Sequence, residues 1–271
     1  MALTLTDEYF EKFKTTVYEE SGICFNSVNR VVLEARINEN IKRKSLAGFD
    51  AYYQLVKSNK EELREFLDSI TTNLTKFFRN ESQFVSLRQV LPQIAAKKTA
   101  GNRVIRIWSA GCSTGEEPYS IAITAGELGG ALSGCTVSIF ASDISLKSLI
   151  TAKEGRYRKD RFENVDKAIV ERYFDVMPEE CVARDNIKKM ITFDYHNLKH
   201  PVTFKDLDII FCRNVIIYFD AESQKRTIDR FYEALGPAGY LYLGHSESLF
   251  GMTTNFKFNK LDDAIVYTKG I

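Results

Sequence analysis

Ile105-Arg106-Ile107-Trp108-Ser109-Ala110-Gly111-Cys112-Ser113-Thr114-Gly115-Glu116-Glu117-Pro118-Tyr119-Ser120 is the stretch that decides the fold of this 271-residue chain. Apolar residues alternate up to Trp108, small residues follow, and Pro118 stands where the first turn of a helix tolerates a missing N–H. The stretch reads as strand, tight turn and helix. Gly111 and Gly115 permit a sharp turn and leave room for a ligand against the backbone. Glu116 and Glu117 follow at once, where a phosphate-binding turn avoids negative charge. The turn therefore suits a ligand carrying an adenosine and a positive charge, such as S-adenosylmethionine, better than a pyrophosphate. Because both acids lie at a positive helix N-terminus, either caps the helix or faces a cationic ligand group.

Outward from this stretch, short apolar strands alternate with helices. Strands are expected at Val104–Trp108, Thr136–Ala141, Leu207–Cys212 and Tyr240–Leu243, with a late pair at Phe256–Leu261 and Ala264–Thr268 around Asp262-Asp263. Helices fit Pro118–Leu128, Ser145–Glu154 and Ala221–Leu235. The alternation predicts an α/β fold with a parallel, Rossmann-like sheet. The closing hairpin predicts an antiparallel terminal strand, the mark of S-adenosylmethionine-dependent methyltransferase sheets. Between Gly155 and Thr192 the alternation breaks. Asn164–Tyr173 looks helical, and two short strands flank Met177-Pro178-Glu179-Glu180, so 155–192 reads as a small β insertion on the sheet edge. Residues 1–90 show helical spacing only, at Leu5–Tyr18, Val31–Ile41, Phe49–Val56 and Glu61–Ile70. Pro92 marks the start or a kink of a further helix. The expected organisation is an N-terminal all-α domain with a linker helix over 1–90 and an α/β domain over 91–271.

Ligands of such sheets sit at the carboxyl ends of the strands. Asp143 ends the second strand and either accepts ribose hydroxyls or caps the next helix. Arg213 and Asn214 follow the apolar run Asp208–Cys212, and Tyr218 either points its hydroxyl at a substrate or belongs to the core. His245-Ser246-Glu247 invites comparison with a hydrolase triad, but three adjacent residues do not point at one another as a triad requires. There is no Gly-x-Ser-x-Gly elbow either. Ahead of the sheet, Thr71-Thr72-Asn73-Leu74-Thr75-Lys76-Phe77-Phe78-Arg79-Asn80 reads either as a helix cap plus core or as a turn into a helix that directs Asn73, Thr75 and Arg79 to one side, with Phe77 and Phe78 as anchors.

Composition excludes several classes. The net charge of +1 argues against bulk nucleic-acid binding. No apolar run approaches the roughly 20 residues of a membrane span, and residues 1–13 carry no apolar core of leader type. A cytoplasmic protein is expected, with no direct membrane insertion. Five scattered cysteines without CxxC spacing and three histidines point to neither a disulfide framework nor a metal site. Locally, Arg30, Arg36, Lys42, Arg43 and Lys44 outnumber Glu34 and Glu39, forming a solvated basic helix face or a surface for an acidic partner.

Taken together, Thr71–Arg79, Trp108–Ala122, Phe140–Ile144, Ile210–Phe219 and Gly244–Ser248 resemble the chemotaxis receptor methyltransferases of the CheR type, in the family's order and across both expected domains. The resemblance implies S-adenosylmethionine as cofactor, S-adenosylhomocysteine as product, and methylation of glutamate side chains on chemoreceptor cytoplasmic signalling domains. It implies that Asn73, Thr75 and Arg79 reach the cofactor or reacting centre, that Glu117 lies near the cofactor's amino acid part and Asp143 at its ribose, and that Asn197 and Leu198 contact the adenine. It also implies that Arg213, Asn214 and Tyr218 line the methyl-transfer site, with Arg79, Arg213 and Tyr218 as the catalytic candidates. In the family the helix matching Arg30–Lys44 faces an acidic receptor surface. Gly111 stands where alanine is common, an exchange expected only to loosen the turn. The segment Asp175–Cys181 is shorter than the glycine-containing loop by which some members capture a receptor C-terminal peptide, so this chain is expected to work without that tether, as a monomer. The competing readings are a same-fold enzyme with another substrate and a cofactor-bound signalling module without activity. A nicotinamide enzyme is the least favoured reading, because the Gly-x-Gly-x-x-Gly fingerprint is missing and acids sit where the pyrophosphate would go.

Overall fold

A computed structural model describes residues 4–71, 73–132 and 134–270; the first three residues and Thr72 of the string above fall outside them. Four helices come first: α1 (Asp7–Ser21), α2 (Arg30–Arg43), α3 (Phe49–Ser58) and α4 (Lys60–Ile70). Thr6 caps α1 and Asn59 caps α4 by accepting backbone N–H groups, and left-handed Gly22 closes α1. These helices bury Phe13, Leu33, Tyr52 and Phe66 in a core of their own. α5 (Glu81–Lys97) then runs through Pro92 as one helix. It packs on the sheet: Phe84, Leu87 and Leu91 join the sheet's core.

The α/β part continues with β1 (Val104–Ala110), α6 (Glu116–Leu128), β2 (Thr136–Asp143) and α7 (Leu146–Glu154). Next come β3 (Arg156–Arg158), α8 (Lys167–Tyr173), β4 (Phe174–Val176), β5 (Glu180–Ala183) and the single turn α9 (Asp185–Lys188). The chain ends with β6 (Ile191–Tyr195), β7 (Leu207–Cys212), α10 (Ala221–Ala234), β8 (Leu235–Leu243), β9 (Lys257–Leu261) and β10 (Ala264–Thr268). Seven strands form one sheet in the order β6-β2-β1-β7-β8-β10-β9, with β10 antiparallel to both β8 and β9. Alternation sorts the central strands. Ile105 and Ile107 of β1 enter the core shared with α5 and α6, while Trp108 and Ala110 enter the opposite core with α10. Strands β3, β5 and β4 make a separate antiparallel sheet.

Two features of the main sheet differ from the sequence reading. β6 was not anticipated, because it is an edge strand whose Thr192, Asp194 and Tyr195 are exposed and break any apolar run. β8 starts at Leu235, five residues earlier than expected. Its Gly236-Pro237 reads as a turn, but it is accommodated where the register with β7 shifts.

From β1 the chain builds outward to β2 and β6, then returns to the other side of β1 with β7. The crevice at this switch point is where a doubly wound sheet holds its ligand.

Candidate active site

The turn after β1 is fixed by bonds to its neighbours. The N–H groups of Gly111 and Cys112 both donate to the Ser142 carbonyl, at 2.8 and 2.9 Å. The Ser113 N–H donates to Asp143 Oδ2 at 2.8 Å, and the Ser145 N–H to Asp143 Oδ1 at 2.8 Å. Asp143 thus ties two strand-end turns together. The cap of α7 is Ser145, which accepts from the Ser148 N–H, so Asp143 is not the helix cap. Burial raises its carboxyl pKa above the ordinary value.

The two adjacent glutamates part ways. Glu116 turns away from the crevice, where its Oε2 accepts from the Thr114 hydroxyl at 2.6 Å. Glu117 faces the crevice. Its Oε1 accepts from the Ser109 hydroxyl at 2.7 Å and its Oε2 meets Arg213 Nη1 at 3.3 Å. Burial raises both carboxyls, against the pull of Arg213 on Glu117. Arg213 is itself buried. Nη2 donates to the Arg79 carbonyl and the guanidinium lies 5.7 Å over the Phe84 ring. It therefore latches the loop ahead of α5 onto the sheet.

That loop, residues 73–80, is pinned on both sides. Phe77 stacks on Phe162 at 4.6 Å and meets Tyr157 and Phe174 edge-on. Arg161 donates to the Thr75 carbonyl, the Ser113 hydroxyl to the Asn73 carbonyl, and Arg79 to the Leu74 carbonyl. After β7, left-handed Asn214 opens a loop that Glu247 holds. The Glu247 carboxylate accepts four backbone N–H groups, from Asn214, Val215, Ile217 and Gly244, between 2.6 and 3.3 Å. The charge of this loop is fully committed to backbone donors.

Together these segments enclose a cavity of about 220 Å³, and all eleven residues expected at the cofactor or the reaction line it: Asn73, Thr75, Arg79, Gly111, Glu117, Asp143, Asn197, Leu198, Arg213, Asn214 and Tyr218. Asn197 also has a second task, because its amide donates to the Glu20 carbonyl at 2.6 Å and joins α1 to the sheet. Sequence reasoning missed the wall supplied by the helices. Ile23, Phe25, Asn29 and Val32 close the cavity from that side, Ile23 pairs with Phe219, and the Cys24 N–H donates to the Tyr218 carbonyl. No local signal announces residues whose partners lie almost 200 positions away. His196, also missed, lines the cavity beside Asp143.

Gly111 does not loosen its turn. Its φ is +82°, and a Cβ there would stand 2.4 Å from Val215 Cγ2, so the glycine admits a close approach that alanine blocks. The five cations of α2 and its C-terminal end stay outside the cavity. Arg30 pairs with Asp7, Arg36 with Glu39, Arg43 with Glu65, and Lys44 with Glu62 and Glu65. Among the described residues only Lys42 of the five has no ion pair. The net positive charge read along the chain is thus offset by acids from other helices.

The residues present fit S-adenosylmethionine. Two carboxylates, Glu117 and Asp143, line a cavity that lacks a phosphate-binding turn. Three buried polar atoms of its lining residues, His196 Nε2, Arg213 Nε and Asn214 Oδ1, have no partner among the described residues. Fold and site define an S-adenosylmethionine-dependent methyltransferase, with the antiparallel strand that distinguishes this class from dinucleotide-binding sheets. The chain belongs to the CheR methyltransferase family: the family's all-alpha domain matches residues 8–71 and its SAM binding domain residues 73–265. The relatives carry the same story. A protein of Rhizobium etli named "Probable chemotaxis protein methyltransferase" is 37% identical over 87% of this chain and 90% of its own length. The chemotaxis protein methyltransferase of Escherichia coli is 35% identical over 94% and 89%, and chemotaxis protein methyltransferase 2 of Vibrio cholerae 32% over 98% and 94%. No helix among the described residues is long and apolar enough to cross a membrane.

Proposed function

We propose that this protein methylates glutamate side chains on the cytoplasmic signalling domains of chemoreceptors, forming methyl esters during chemotactic adaptation. The observation that carries the reading is the meeting of Glu117, Asp143 and the half-exposed Tyr218 in one cavity of a CheR-family chain. S-adenosylmethionine, when bound, supplies a methyl group already activated by the sulfonium charge. Asp143 keeps lone pairs for two ribose hydroxyls after serving Ser113 and Ser145. Glu117 offers its charge to the ammonium of the amino acid part, while Asn73, Thr75 and the Gly111 turn flank it. Asn197 and Leu198 form the adenine wall.

An acceptor glutamate has an ordinary pKa of about 4.3 and is already ionised at neutral pH, so no general base is needed. What the chain supplies is orientation and exclusion of water. Tyr218 and Arg79 orient the incoming carboxylate without a tight ion pair that would blunt it. Arg213, with two donors committed to Glu117 and the Arg79 carbonyl, is a positioning residue. The helical part, through Arg30, Arg36, Lys42, Arg43 and Lys44, meets an acidic receptor face; surface ion pairs are weak enough to exchange partners. The three-residue β4 and the glycine-free turn to β5 support action without a receptor peptide tether. The protein works in the cytoplasm as a monomer.

The test is transfer of labelled methyl from S-adenosylmethionine to receptor signalling domains with and without their C-terminal tails, followed by alkaline release of methanol. Base-labile label indifferent to the tail is the expected result. Label that requires the tail overturns the tether-free reading. Intact cofactor binding with no label overturns the substrate.

A further inference from the structure

A second hollow, of about 230 Å³, lies between the C-terminal end of α1 and one face of α10. Lys199, Arg226 and Arg230 line it together with Ser223 and Thr227. On α10 the spacing 223, 226, 227, 230 puts these side chains on one helix face. The positive charge here is poorly compensated. Among the described residues, the hydrogen bonds of Lys199 Nζ go to the backbone carbonyls of Tyr18 and Glu19, and that of Arg230 Nη1 to the Leu198 carbonyl at 2.9 Å, with Glu233, outside the lining, acting on Arg230 only as a weaker charge. Arg226 has a carboxylate partner, Glu222, but that side chain is 74% exposed. Asp220 at the head of α10 accepts from the Ser223 N–H at 2.7 Å and interacts with Tyr18, and the Arg226 charge is a lesser influence on it. Burial, then the neighbouring Arg226 charge, lowers the pKa of Arg230. Cations resting on neutral carbonyls, arginine forks beside hydroxyls and no lining acid are the composition that binds phosphate groups.

We propose that this hollow binds a soluble phosphate-bearing ligand and that its occupancy is communicated to the cofactor cavity. Two connections carry the signal. Phe219 lines both hollows, and its neighbour Tyr218 enters the active site. Lys199 grips the last carbonyls of α1 two residues from Asn197, which holds the Glu20 carbonyl and lines the cofactor cavity. A phosphate that engages Lys199 changes the grip on α1, and α1 leads directly into the cavity wall at Ile23 and Phe25. The coupling is reciprocal: the cofactor product changes phosphate affinity by the factor by which phosphate changes product affinity.

The probe is pyrophosphate, titrated calorimetrically into the full chain with and without saturating S-adenosylhomocysteine. The expected result is one saturable site that persists under saturating product, weakens about tenfold or more in Arg230→Gln, and shifts the product Kd severalfold. Ser223→Glu places a carboxylate in the hollow at a helix N-terminal turn that tolerates acids. It is expected to abolish pyrophosphate binding while leaving the melting temperature intact. No saturable heat with the wild type, or binding insensitive to both variants, overturns the site. Binding that product eliminates places the probe in the cofactor cavity and also overturns it. Binding without any shift in product Kd overturns the communication. Phosphatidylglycerol vesicles that bind with the same variant sensitivity, where pyrophosphate does not, assign the chemistry to a membrane surface and overturn the soluble ligand. None of these readouts requires methyl transfer, so they stand or fall apart from the proposed reaction.

Discussion

The carboxylates on the cavity floor and those on the helical face respond to their surroundings in opposite ways. On the floor, burial dominates and raises Glu117 and Asp143. On the helical face, the hydrogen bond from Lys44 dominates and lowers Glu65. The floor spends electrostatic energy to hold geometry, so its partners are irreplaceable. The face holds most of its charges in pairs with at least one exposed partner, which are worth little to folding, with Lys44–Glu62 the more buried exception.

The largest expected effect comes from breaking the floor. Arg213→Ala leaves Glu117 as a buried charge without its guanidinium, and unfolding in urea is expected to show a loss of about 3–5 kcal/mol. A loss near that of a surface pair would erase the distinction. Next is Glu247→Gln, which sets an amide N–H₂ against backbone donors that all need an acceptor. A loss of about 2–3 kcal/mol is expected in the same measurement. Gly111→Ala adds a left-handed alanine and a clash with Val215, for about 1–3 kcal/mol by thermal unfolding. Val215→Ala in the same chain is expected to recover part of it; full additivity of the two losses would show that the clash is not the cause.

The opposed pKa directions sharpen the comparison through pH. For the floor, the folded carboxyls sit above their unfolded values, so the native state binds more protons and gains stability as pH falls through the raised folded values toward the unfolded value of about 4. For Glu65 the folded value sits below, so its contribution is present above about 4.3 and is lost on further acidification. The melting temperature is expected to rise on mild acidification and then fall. Asp143→Asn is expected to flatten the rise and to weaken S-adenosylhomocysteine binding in calorimetry. The smallest structural effect belongs to the face. Lys42→Glu is expected to change stability by no more than about 0.5 kcal/mol, while raising the KM for receptor and leaving kcat and product affinity alone.

The sheet was legible because its central strands are buried on both faces and so appear as apolar runs, as in Ile209–Cys212. β6 was hidden by its exposure at the edge, and the start of β8 by Gly236-Pro237. The eleven cavity residues were readable because strand ends and family strings mark them. The task of Glu247 was not, since the donors it serves at 214–217 lie thirty residues upstream and nothing in Gly-His-Ser-Glu-Ser names them. The acids that offset the α2 cations were equally invisible, because Asp7 and Glu62 reach them from other helices.

The pairing of Ile23 with Phe219, and of Cys24 with Tyr218, has a consequence for biosynthesis. The four leading helices leave the ribosome long before Asn197, Lys199 and Phe219, the residues on which they seat. Until translation has passed these positions, the wall at Ile23 and Phe25 faces open water and the α1 carbonyls lack their donors. The cavity can therefore be completed only after these positions have been synthesised.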